Sequence, residues 1–428
     1  MLPLPIRFTI IQQKGSRNLS TDFYSHRLPN GIHIIHIRAK MPSARCGILI
    51  NTGSRDEKGL RGVAHFLEHL FFKGTAKRKA YHILSTIDNS GGELNAYTSK
   101  EETFVYASCL KSDMRKAMDI IGDVVSNSLF PEKELEKERG VILDEINSYK
   151  DDPGEDIMDC FEELWFENHE LGSNILGTVQ DVKKISRKSI TDFIDNGYRN
   201  DDIVFCSVGQ FSFEKILQYA TPILEQFHFN AAPHTRQPFT ANVQPFIKTE
   251  RRNVHGAHCL IGFPGVTRSS EDRIVCGILN NLLGGPVMNS MLNLSLREKH
   301  GICYQIESQM ISYTDTGIWT TYLNTDPGKM EKAVDLALVE INKLRENTLS
   351  TLKLHTVKKQ VKGQLALSQE NPGSMLHVMG KSYFTRGKIE TLKEIMHKID
   401  IITPQDALRA ANEYLVKDKM SMLTLTSA

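Results

Sequence analysis

CLKSDMRKAMDIIGDVVSN, residues 109–127, and YLNTDPGKMEKAVDLALVEINK, residues 322–343, carry apolar residues at the same helical spacing. Met114 falls on Met330 and Ala117 on Ala333, an offset of 216 in a chain of 428 residues. A repeat of that period predicts an internal duplication. Around the two copies lie strand-like runs bounded by turn residues, among them HRLPNGIHIIHIRA, RCGILINTGS, ELNAYTS, ETFVYASCL and DIVFCSVG. The expected fold class is therefore α+β: two homologous α/β sandwich domains, each a mixed sheet with helices packed on one face. Residues 230–245, NAAPHTRQPFTANVQP, hold three prolines and little periodicity. The expected division is an N-terminal domain over 1–230, a linker over 231–245 and a C-terminal domain over 246–428.

The duplication serves as an internal control for GVAHFLEHLFFKG, residues 62–74. His65 and His69 are four apart, so on a helix their imidazoles share one face and can converge on a tetrahedral metal. Glu68 borders that face, giving His-x-x-Glu-His, the reverse of the commoner His-Glu-x-x-His. The residues 216 positions later are Asn281, Gly284 and Gly285. The second copy keeps the frame without the three polar groups, which favours chemistry over packing as their purpose. A catalytic zinc needs a third protein ligand. ELEKERGVILDEINSY, residues 134–149, lies in a helix expected between Pro131 and Pro153 and offers Glu138 and Glu145, two turns apart on one face. By spacing alone, either can bind the metal while the other supports it. Such a site suits peptide hydrolysis, with Glu68 as the proton acceptor.

Bulk properties exclude other classes. Net charge is +1 and charged residues make up 24%, so no nucleic-acid partner and no polybasic membrane anchor is expected. Seven scattered cysteines without a CxxC pair imply reduced thiols and a cytoplasmic location. The first 23 residues lack a secretory pattern; an organelle-targeting reading is the lesser alternative. His33 and His36 are three apart on a presumed strand and point to opposite faces, so they are not expected to pair as ligands.

GSRDEKGLRGVAHFLEHLFFKGT and ERGVILDEI together resemble the pitrilysin-like inverzincin metallopeptidases, the group that includes the mitochondrial processing peptidases and insulin-degrading enzyme. The resemblance runs from about residue 24 to 425. It implies one Zn2+ per chain on His65, His69 and Glu145, with Glu68 as general base and Glu138 as supporting carboxylate. GGELNAYTS is similar to the family's substrate-docking edge strand, which implies that Asn95 and Ala96 meet an extended peptide. LREKHGICYQI is similar to the block that supplies Arg297 and Tyr304 to the substrate carbonyl. From sequence alone, Arg297 is a surface charge and Tyr304 a core aromatic. The short two-repeat form implies a dimer around a closed chamber, either a homodimer or a heterodimer with an inactive homologue. The function expected is a zinc-dependent endopeptidase for extended or unfolded peptides. The alternatives are a processing peptidase for presequences and a non-catalytic assembly subunit of the same fold.

Overall fold

In the computed structural model, which describes residues 11–13, 23–233, 235–240, 243–369 and 372–427, the strand-like runs form two sheets. The targeting question falls mostly on residues outside this set. The first sheet contains β1 (Ile11–Gln13), β2 (Phe23–Arg27), β3 (His33–Arg38), β4 (Ser43–Ile50), β5 (Glu93–Thr98), β6 (Thr103–Leu110) and β7 (Ile203–Gly209), in the order β1-β2-β3-β7-β4-β6-β5. The second contains β8 (Ile247–Arg251), β9 (Ala257–Pro264), β10 (Cys303–Ser312), β11 (Gly317–Thr325) and β12 (Ser421–Thr426), in the order β10-β11-β9-β12-β8. The pairs β3–β7 and β8–β12 are parallel, and the remaining neighbours are antiparallel.

Shifting β3, β7, β4, β6 and β5 by 216 residues lands on β8, β12, β9, β11 and β10, in the same sheet order. The duplication therefore extends from sequence to topology. It extends to helices as well. Those of the first half are α1 (Val63–Leu70), α2 (Ala80–Asp88), α3 (Met114–Asn127), α4 (Glu132–Lys150), α5 (Pro153–Trp165), α6 (Val179–Val182), α7 (Arg187–Gly197) and α8 (Phe213–Leu224). Those of the second are α9 (Arg273–Gly284), α10 (Met330–Glu346), α11 (Thr351–Gln369), α12 (Pro372–Arg386), α13 (Leu392–Ile401) and α14 (Pro404–Tyr414). At the same offset α3 overlaps α10, α4 overlaps α11 and α5 overlaps α12.

The central strand β4, SARCGILI, shows why its sequence is an apolar run rather than an alternation. Cys46, Ile48 and Ile50 enter a core with helices α1, α3 and α8, whereas Leu49 enters another on the opposite face with Leu376 and Met379 of α12. A strand covered on both sides has no polar face. The second sheet repeats the arrangement. Cys259, Ile261 and Phe263 of β9 face α9, α10 and α14, while Leu260 faces Ile157, Phe161 and Trp165 of α5. Gly262 accommodates this helix, since a Cβ there would lie 2.2 Å from the Phe161 ring.

These contacts define two compact units that are not consecutive stretches. The first comprises residues up to Ile146, Ser173–Arg236 and Ser368–Lys393; the second comprises Asn147–Gly172, Gln237–Leu367 and the residues from Glu394 onward. The passage at Arg236–Gln237 falls within the stretch read as a linker. The division at residue 230 and the single helical layer are both too simple, because α5 and α12 each lie in the unit built mainly from the other half. Periodicity marks the apolar face of such a helix but not the sheet it will cover.

Candidate metal centre

Helix α1 starts at an enforced position. Gly62, with φ 87°, is the residue before its first turn, and a Cβ there would lie 2.5 Å from the Leu176 carbonyl oxygen. The two carboxylate oxygens of Glu57 accept the amides of Gly62 at 2.9 Å and Ala64 at 2.8 Å, satisfying donors a helix start leaves open. Val63, Ala64, Phe66, Leu67 and Leu70 are buried in the core. That fixes the rotation of the helix and sets His65 and His69 side by side, with ring centroids 4.7 Å apart. On α4, Leu135, Ile142 and Ile146 are buried, which anchors the helix whose carboxylates meet the imidazoles.

Glu145 Oε2 lies 3.8 Å from His65 Nε2 and 3.5 Å from His69 Nε2. One ligand atom from each of the three residues falls within 4.8 Å of the others. Ligand atoms of a tetrahedral zinc with bonds of ~2.0–2.2 Å stand roughly 3.3–3.5 Å apart. The donor set fits zinc in type and number, and Glu145 stands within a few tenths of an ångström of that spacing from each imidazole. Spacing along the sequence left Glu138 and Glu145 interchangeable; the geometry separates them. Glu138 instead faces the other nitrogen of His69, with Oε2 3.1 Å from Nδ1, while its Oε1 pairs with Lys73 at 2.7 Å. Burial, with the neighbouring His69 adding to it, lowers the pKa of His65 to about 3, which leaves its imidazole neutral and able to donate a lone pair. Its Nδ1 is buried without a hydrogen-bond partner among the described residues.

Glu68 is half-buried beside Thr98, the last residue of β5. Burial raises its carboxyl pKa above the usual range, hydrogen bonds from the Thr98 side chain and backbone oppose that, and the nearby Glu145 adds to it. Among the described residues the strand β5 is the edge of its sheet, paired with β6 alone. Asn95 is exposed, Ala96 is buried, and the Ala96 amide donates to Asn95 Oδ1 at 2.8 Å. Arg297 and Tyr304 belong to the second unit. Arg297 is exposed in a π-helical turn, Asn293–Lys299. Tyr304 is 62% exposed and donates to Asp326 Oδ1 at 2.7 Å, so it is not the core aromatic its sequence context suggested.

Glu57, Lys73 and Thr98 escaped the sequence reading. Lys73 had a signal, standing one turn past His69 on the same stretch. Glu57 and Thr98 act through backbone approach and sheet register, which spacing does not report. His33 meets Tyr383 and His36 meets Ser207 and Phe211, so these histidines do not converge.

A helix bearing two imidazoles and a carboxylate, completed by a carboxylate from a second helix beside an open strand, is the arrangement of a metallopeptidase centre. Residues 34–179 match the family model described as Insulinase (Peptidase family M16), and residues 184–361 match Peptidase M16 inactive domain. An uncharacterized zinc protease of Streptomyces coelicolor is 32% identical over 397 residues, covering 91% of this chain and 86% of that protein. Mitochondrial-processing peptidase subunit beta of Saccharomyces cerevisiae is 30% identical over 420 residues, covering 93% and 90%. The chain belongs to peptidase family M16. A protease from Helicobacter pylori has the same fold, with a TM-score of 0.87 at 21% identity over 95% of this chain and all of the other.

Proposed function

We propose that the protein is a zinc-dependent endopeptidase acting on extended or unfolded peptides. The observation that carries the reading is the convergence of His65, His69 and Glu145 beside Glu68 and the open edge of β5. Zinc held by these three side chains would supply a Lewis acid for the scissile carbonyl and lower the pKa of a water. The chain's own groups do the rest. Glu68 takes a proton from the attacking water and delivers it to the departing amine, a carboxyl whose raised pKa suits both tasks. Glu138 holds His69 through Nδ1, which turns Nε2 toward Glu145, and Lys73 pairs with the other oxygen of Glu138.

The free edge of β5 binds substrate by strand addition, so main-chain hydrogen bonds accept many sequences. Asn95 releases the Ala96 amide to the incoming peptide. Arg297 and Tyr304 act on the substrate carbonyl, and two copies of the chain, or this chain with an inactive homologue, enclose the substrate in the cytoplasm. Specificity for presequences is a second reading, favoured by the likeness to mitochondrial-processing peptidase subunit beta.

Metal analysis and a quenched peptide assay test the proposal together. Glu68→Gln is expected to retain about one zinc per chain and to lose cleavage by roughly 10²–10⁴-fold. A fully active variant, or a metal-free and inert wild type, would overturn it. A panel of unrelated peptides separates broad cleavage from presequence processing.

A further inference from the structure

The second unit has a cleft that shares one residue, Asn281, with the positions equivalent to the first unit's metal ligands. Helices α9 and α11 are the repeats of α1 and α4, and Asn281 stands at the position equivalent to His65. The cleft has about 220 Å³ of empty space, part of it open to solvent, and its lining includes Asn281, Val287, Asn289, Lys353, Val357 and Gln360. Among the described residues no aspartate or glutamate lines it. The cleft therefore presents amide donors and a positive charge beside Val287 and Val357.

Two observations point to a ligand. Asn281 is only 5% exposed, and its Nδ2 is buried without a hydrogen-bond partner among the described residues. A buried amide donor left open is uncommon, because its desolvation goes uncompensated. Lys353, on the facing helix, is exposed and makes no ion pair among the described residues. Gln360 is already committed, its Nε2 donating to Asn289 Oδ1 at 3.2 Å across the lining.

We propose that this cleft binds a small carboxylate. The Asn281 amide donates to one carboxylate oxygen, Lys353 supplies the counter-charge, and Val287 and Val357 flank a short apolar tail. The proposal rests on the second unit alone and stands whether or not the first cleaves peptides. A free organic acid and the C-terminus of a peptide present the same group.

The test uses the full-length, zinc-loaded protein labelled with 15N-asparagine, with the Asn281 side-chain signal assigned by its loss in Asn281→Leu. Titration with acetate and with acetyl-Ala-Val should shift that signal saturably, whereas acetyl-Ala-Val methylamide should not. Tighter binding of acetate would identify a free acid as the occupant, and tighter binding of the dipeptide would identify a chain terminus; either supports the site. Lys353→Ala, an exposed substitution that leaves packing intact, should weaken binding at least about tenfold. A signal that stays still, that moves equally with the methylamide, or that keeps its affinity in Lys353→Ala would overturn the proposal. So would tighter binding of inorganic phosphate than of either carboxylate.

Discussion

Glu138 accepts the Nδ1 proton of His69 across 3.1 Å, and its other oxygen lies 2.7 Å from Lys73 Nζ. A carboxylate in that position fixes both the tautomer and the tilt of the imidazole. Glu138→Gln keeps an acceptor but loses the charge and the Lys73 pair. Zinc affinity should fall by about 10–100-fold, measured by competition with a chromogenic chelator. Far-UV circular dichroism should stay unchanged, since α4 is anchored by Leu135, Ile142 and Ile146.

The start of α1 should be equally sensitive. Gly62 combines φ 87° with a Leu176 carbonyl where its Cβ would stand. Gly62→Ala should destabilise the protein by about 1–2 kcal/mol from the left-handed backbone alone, and by more if Leu176 cannot retreat. Urea unfolding measures the first effect. Reduced zinc occupancy in the same variant would show that the helix start sets the ligand geometry.

A pH dependence of stability follows from His36. It is fully buried between Ser207 Oγ at 2.9 Å and the Phe211 carbonyl at 3.2 Å, and burial lowers its pKa to about 4. The unfolded chain takes up a proton at this residue near pH 6.5, but the folded chain does so only near 4. Folding is therefore favoured by the full amount above about pH 6.5, loses stability as the pH falls between these values, and changes no further below. The loss is of the order of 3 kcal/mol. Urea midpoints from pH 7.5 to 4 should show a shallower decline in His36→Gln than in wild type.

The exchanged helices predict the behaviour of fragments. Residues 1–236 alone lack α12, whose Leu376 and Met379 cover Ile35, Leu49 and Val204. That fragment should be insoluble or aggregated. Co-expression with residues 237–428 should restore solubility, as read by gel filtration, although those residues in turn lack α5.

The sequence carried the architecture to a specific depth. The offset between Met114 and Met330 foretold two sheets of like topology, and Pro131 and Pro153 bounded α4 closely. His65 and His69 were legible because helical spacing is local, and the absence of their equivalents at Asn281 and Gly285 marked them out. The exchange of α5 and α12 was not legible: Ile157, Phe161 and Trp165 announce an apolar face without naming its sheet. Spacing alone did not divide the labour between Glu138 and Glu145 either, which rests on how α4 crosses α1; only the family resemblance implied it. From sequence alone Tyr304 read as a core aromatic, because an aromatic in a strand is usually packed inward, and here an edge strand leaves it in water.

The trading of α5 for α12 also bears on descent. Each sheet is roofed by a helix from the other half, with α5 over Leu260 and α12 over Leu49. Two separate repeats exchanging that helix would make an intertwined pair, and joining them in one chain would make the exchange intramolecular. One member could then shed its metal ligands without losing the roof it lends.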